Sequence, residues 1–144
     1  MVAVVNRPLV LFICTANSAR SQMGEAILRA KAGDRFEVAS AGLDAKEINP
    51  LTIRVLEEAG YPTRDLYAKS LSQFLAKESV RFAIIVCENA ADRCPSVYPF
   101  AGRTLRWPFD DPAAHNGDEQ QRIEKFREVR DQIAARLDRW LAGE

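Results

Sequence analysis

Two rhythms alternate along the chain. Pro8 to Cys14 is a continuous apolar run, and Arg81 to Val86 is another. Unbroken runs of this length read as strands buried on both faces, as in a parallel sheet. Phe36 to Ala41, ending at Gly42, and the shorter Thr104 to Trp107 read as two more strands. Between them the apolar spacing widens to three and four. A helix is expected from Ala19 to Lys31, with Met23, Ile27 and Leu28 on one face and Gly33 as its stop. Asn49 caps a second helix, Pro50 fits its first turn, and Gly60 lies past its end. Leu51, Ile53, Val55 and Leu56 form its apolar side. Tyr61-Pro62-Thr63 reads as a turn, Leu71 to Lys77 as a short helix, and Glu88 to Arg93 as another that Pro95 ends. Pro108 to Asn116 is loop. Asp118 then caps a long helix carrying Ile123, Phe126, Val129, Ile133, Leu137 and Trp140 at helical spacing. The order β-α-β-α-β-α-β-α predicts an α/β fold: one domain over residues 1–144, a doubly wound four-stranded parallel sheet with helices on both faces.

Composition narrows the partners. The 144 residues carry 20 basic and 20 acidic side chains, so formal net charge is zero. No nucleic acid and no acidic membrane surface is expected as a partner. Val2 to Val5 is too short for a signal-peptide core or a span, which points to the cytoplasm, where thiols stay reduced. Cys14, Cys87 and Cys94 are three in number, which argues against a structural disulfide framework. His115 is the only histidine and no C-x2-C pair exists, so no metal site is expected.

The chemistry gathers at Val10 to Met23. An apolar strand ends at Cys14, a polar loop follows, and Arg20-Ser21 open a helix. Strand, loop and helix in this order place backbone N–H groups and a helix N-terminus around an anion. Such surroundings favour a thiolate at Cys14. The planar fork of Arg20 can hold two oxygens of a tetrahedral oxyanion. Ligands of doubly wound sheets bind beyond the carboxyl ends of strands. Cys14 and Cys87 both lie at such ends and are expected to face one crevice. Cys87 and Cys94 are seven apart, which on a helix is a rise of about 10.5 Å. A disulfide needs Cα atoms within about 7 Å, so this pair can bond only if the segment unwinds. Spacing alone leaves a redox switch and two unrelated core cysteines equally open. After the fourth strand, Phe109-Asp110-Asp111-Pro112 offers a carboxylic acid to protonate a leaving oxygen, although Asp-Pro is also a common turn. His115 reads as a surface residue, and Arg122, Lys125, Glu128 and Asp131 as a solvated helix face.

Together these residues resemble the thioredoxin-coupled arsenate reductases, which share the fold of the low-molecular-weight protein tyrosine phosphatases. The likeness runs from Val10 to about Leu141. It rests on the stretch Cys14 to Met23, on Ser40-Ala41-Gly42, on Asn49-Pro50, on Cys87 with Cys94-Pro95, and on Trp107 to Pro112. The loop is shared with the phosphatases; the Cys87/Cys94 pair points to the reductases. No tightly bound cofactor is expected, and the protein is expected to be a monomer. The resemblance implies that arsenate, with phosphate or sulfate as analogues, is held by Cys14, Thr15, Ala16, Asn17, Ser18, Ala19 and Arg20. Cys14 would attack, Ser21 would support its thiolate, and Asp111 would protonate the departing oxygen. Cys87 and then Cys94 would carry the disulfide onward to thioredoxin.

Three positions depart from the family pattern. Ala16 stands where the loop usually has glycine, which costs about 1 kcal/mol if that residue needs positive φ. Ala19 stands where some relatives have a further cysteine. Some relatives bind potassium beside the loop through residues matching Asn17, Glu25 and Ser40 plus an acidic residue; here Lys69 stands at the acidic position. Its ammonium is expected to replace the ion and support the loop. The competing readings are a phosphotyrosine phosphatase, a redox-sensing or anion-binding module without turnover, and a reductase resolved by mycothiol or glutaredoxin. Ala113-Ala114 follow Asp111-Pro112, where phosphatases of this fold usually have aromatic residues to grip the substrate ring.

Overall fold

The computed structural model describes residues 7–74, 79–87, 98 and 101–143. Four parallel strands lie in the order β2-β1-β3-β4. They are β1 (Leu9–Cys14), β2 (Glu37–Gly42), β3 (Val80–Ile85) and β4 (Ala101–Arg106). The helices are α1 (Arg20–Ala32), α2 (Pro50–Glu58) and α3 (Glu119–Leu141), and they pack against one another. Strand order grows outward from β1 in both directions, as a doubly wound sheet requires. The reversal falls between β1 and β3, where such folds open their binding crevice.

Burial explains the strand patterns. All six residues of β1 are buried, since it has a strand on either side. β4 is an edge strand and alternates less cleanly, with Gly102, Arg103 and Arg106 exposed. It begins earlier than the expected Thr104; Ala101 pairs with Val80, so the ladder to β3 sets its start despite the weak apolar signal of Ala101-Gly102-Arg103. Trp107 extends that edge by one hydrogen bond, from its N–H to the Ile85 carbonyl (2.9 Å). Leu71–Gln73 forms only a 3-10 turn, capped by Ser70, and residues 75–77 of the expected helix lie outside the described residues. Pro112–Ala114 forms a second 3-10 turn inside the expected loop. Caps follow the sequence signals: Asn49 accepts from the Leu51 N–H, and Asp118 with Gln121 forms a capping box on α3. Among the described residues no helix is long and apolar enough to cross a membrane.

Candidate active site

Cys14 closes β1 and Arg20 opens α1, so the loop between them sits at the carboxyl edge of the central strand. α1 is seated low on the sheet by Gly24. A methyl group there would fall 2.5 Å from the Phe12 ring, so any other residue would lift the helix. The helix has no side-chain cap at Ala19, and no acidic residue in its first turn competes for an anion.

A buried hydrogen-bond chain runs from the thiol to a carboxylate. Cys14 Sγ lies 2.9 Å from Ser21 Oγ and accepts the Asn17 N–H at 3.2 Å. Asn17 Nδ2 donates to Ser21 Oγ (2.8 Å) and to Ser40 Oγ (2.9 Å). Ser40 donates to Glu25 Oε1 (2.6 Å). These roles fix the protons. A carboxylate only accepts, so Ser40 gives its hydrogen to Glu25; Ser21 receives from Asn17 and is left to give its own to the sulfur. The Ser21 hydroxyl is thereby aimed at the Cys14 sulfur. Asn17 is held in the left-handed region (φ 54) by further bonds. Its Oδ1 accepts from the Lys69 N–H (2.8 Å) and from Gln22 Nε2 (2.9 Å).

Lys69 does sit beside the loop. It is 4% exposed, with its ammonium 3.3 Å from Glu25 Oε1 and 2.7 Å from the Tyr67 carbonyl. The Tyr67 ring covers it at 4.3 Å. Burial pushes the lysine below its ordinary range, and the Glu25 charge opposes that shift. A second of the three departures, Ala16, carries no positive φ; the left-handed residue is its neighbour Asn17. The alanine is therefore unstrained at that position.

Arg20 is 5% exposed and donates to the Phe109 carbonyl (3.0 Å). Its other arm lies 3.7 Å from Asp111 Oδ2, while Asp111 Oδ1 accepts the Ala113 N–H at 3.0 Å. The arginine thus draws the Asp-Pro loop over the anion loop. Asp110 turns away to Lys125 (2.8 Å), so of the two acids it is Asp111 that reaches Arg20. That contact also corrects the reading of Lys125, which is paired and 18% exposed. His115 is exposed, as expected.

Cys87 is buried two residues beyond β3, the strand next to β1. It is disulfide-bonded, whereas Cys14 is a free thiol. Cys94, the short helix expected before it and Pro95 lie outside the described residues. Sequence reasoning missed Gln22, whose amide lies between Asn17 and the Tyr67 carbonyl (2.9 Å). Its spacing of three from Glu25, on the side of α1 away from Met23 and Ile27, was the available signal.

The model of the family described as low molecular weight phosphotyrosine protein phosphatase matches residues 9–143. The chain belongs to this family. Within it, the chain is 34% identical to the arsenate reductase of Halalkalibacterium halodurans over 133 residues, covering 92% of this chain and 94% of that one. It is 34% identical to the arsenate reductase of Bacillus subtilis over 129 residues, covering 90% and 91%. A solved arsenate reductase in the phosphate binding state superposes with a TM-score of 0.78 at 26% identity, covering 94% of this chain and 97% of that one. The thioredoxin-dependent arsenate reductase of Corynebacterium glutamicum is 30% identical, with a TM-score of 0.67 over 99% of this chain and 66% of that one. Family membership accounts for the fold.

Proposed function

We propose that the protein reduces arsenate to arsenite through three thiols and takes its electrons from thioredoxin in the cytoplasm. The observation that carries this reading is the pair of states at the crevice. Cys14 is a free thiol at the start of an anion loop, and Cys87, just beyond the neighbouring strand, is already in a disulfide. A phosphatase needs only the first of these.

Cys14 attacks arsenic(V) while the loop amides and Arg20 hold the remaining oxygens. The leaving oxygen takes a proton from Asp111 and departs as water. The Cys87 thiolate then attacks Cys14 Sγ. A Cys14–Cys87 disulfide forms, the sulfur–arsenic bond breaks, and its electron pair leaves on arsenite. Cys94 attacks Cys87, which frees Cys14 and leaves Cys87–Cys94 for the dithiol of thioredoxin. A free Cys14 beside an oxidised Cys87 is the state this sequence reaches before thioredoxin acts. The buried chain from Glu25 supports the Ser21–Cys14 contact. Lys69 serves as a fixed internal cation for that chain, so turnover should not depend on potassium over sodium; clear potassium activation would contradict this.

The test is NADPH oxidation with thioredoxin and thioredoxin reductase, with and without arsenate, beside a p-nitrophenyl phosphate assay. Cys14→Ser should abolish both activities. Cys87→Ser should lose multi-turnover arsenate reduction, and Cys94→Ser should release about one arsenite per enzyme and stall. Strong phosphatase activity with no arsenate response would give the chain to the phosphatase reading, which the Arg20–Asp111 pair also fits.

A further inference from the structure

Two sequence motifs take little part in the chemistry above. Ser40-Ala41-Gly42 supplies Ser40, and Asn49-Pro50 supplies a helix cap. They bracket a segment that runs beside the anion loop and bonds its carbonyls one after another. The Leu43 N–H donates to the Cys14 carbonyl (3.2 Å), Asp44 to Thr15 (2.9 Å), Lys46 to Ala16 (2.9 Å) and Asn49 to Ser18 (3.0 Å). The Thr52 hydroxyl, fully buried, donates to Ser18 as well (2.8 Å).

A planar trans peptide holds its carbonyl antiparallel to the N–H of the next residue. Each carbonyl drawn outward therefore turns an N–H toward the opposite, concave side. The four contacts orient the N–H groups of Thr15, Ala16, Asn17 and Ala19 in this way. For Asn17 the result is visible, since its N–H reaches Cys14 Sγ. A peptide rotated the other way would present a carbonyl dipole to the anion. The contact is close because residue 42 has no side chain. A methyl group at Gly42 would lie 2.7 Å from the Thr15 oxygen and 2.9 Å from the Asn17 nitrogen, both backbone atoms.

We propose that residues 42–52 are a positioning belt that fixes the polarity of the oxyanion loop, with Gly42 and Thr52 as its positioning residues. The belt acts through the loop backbone. Its effect is to keep amide dipoles preorganised where the anion's charge will sit. The inference rests on the reading of residues 14–20 as an oxyanion cradle.

The experiment uses the reduced full chain and inorganic phosphate, with binding measured by calorimetry and folding by thermal midpoint. A second readout is the rate of Cys14 alkylation by iodoacetate, an anion, divided by the rate with neutral iodoacetamide. Thr52→Val keeps the shape and loses the hydroxyl donor; phosphate should bind about three- to tenfold more weakly, and the alkylation ratio should fall with it. Thr52→Ser should restore both. Gly42→Ala should weaken phosphate on the order of 100-fold, because it displaces loop backbone by a sizeable fraction of an ångström. Wild-type phosphate affinity in Thr52→Val overturns the belt. So does a loss of thermal midpoint with the alkylation ratio unmoved, or a Thr52→Ser protein as impaired as Thr52→Val. Absence of phosphate binding in the wild type overturns the cradle reading itself, and the belt with it.

Discussion

Two ion clusters in this protein have the same centre and opposite surroundings. Each centres on one carboxylate held by two cations; in the second, those cations also pair with Glu124 and Asp131. Glu25, 2% exposed, meets Arg29 at 2.7 Å and Lys69 at 3.3 Å behind the anion loop. Glu58 lies between α2 and α3, where Arg127 grips it with two nitrogens (2.7 and 2.9 Å) and Arg130 adds a third contact at 2.7 Å. The Arg127 hydrogen bonds beside Glu58 hold its carboxyl down, to about 2. For Lys69 the larger effect is burial, which works against its charge. Water near Glu58 makes its charge cheap to keep, so the pairing there is available as stability. In the dry site, desolvation offsets much of the attraction, and the cluster contributes chiefly a fixed geometry. Glu25 uses that geometry to orient Ser40, Asn17 and Ser21 toward Cys14.

The largest effect is expected where a buried charge loses its partner. Glu25→Ala leaves the Lys69 ammonium in a dry site and takes the acceptor from Ser40. Stability should fall by about 3–5 kcal/mol, read by urea unfolding. Arsenate turnover by the remaining folded protein should fall on the order of 100-fold, since the chain that orients Ser21 is cut. A loss under about 1 kcal/mol with normal turnover would erase the distinction between the two clusters.

How each cluster could be read from sequence differs for the same physical reason. Strands and helices were legible because burial imposes a period: the apolar run of β1 and the spacing along α3 leave few alternatives. Cys14 and Arg20 were legible because strand, loop and helix are contiguous, whereas the role of Ser21 came from the family resemblance. Glu25, Ser40 and Lys69 came to notice only through family resemblance, because their meeting depends on three separate elements. Ala16 would be strained only if its own position needed positive φ, and the positive φ lies one residue later, at Asn17. Which loop residue turns left-handed is set by the contacts on its flanks. The early start of β4 was hidden because an edge strand needs only one apolar face.

The exposed cluster should show itself through pH. The Glu58 carboxyl is depressed from 4.5 to about 2 in the folded protein. A depressed carboxylate stabilises the fold above about 4.5, and this contribution is lost as pH falls from about 4.5 to about 2. Because the Glu58 side chain is 32% exposed, solvent screening reduces the contribution to about 1 kcal/mol. Glu58→Gln should therefore be about 1 kcal/mol less stable than wild type at pH 7, with the gap narrowing through that acid window. Its arsenate turnover should match wild type. A gap that persists unchanged at pH 2 would assign the effect to lost side-chain packing.

The smallest effect separates network from mere attraction. Arg54 and Glu119 join the same two helices at 3.4 Å, but as an isolated pair whose side chains are 58% and 76% exposed. They lack the two-nitrogen grip of Arg127 on Glu58, and ordering two long side chains offsets what the attraction gives. Arg54→Gln should change stability by no more than about 0.3 kcal/mol, and 1 M salt should remove the remainder by screening. If Arg54→Gln instead cost as much as Glu58→Gln, any opposite charges bridging α2 and α3 would serve equally well. The double variant then decides the matter. Additive losses mean two independent pairs, whereas a loss no larger than that of Glu58→Gln alone leaves the three-contact cluster as the element that joins these helices.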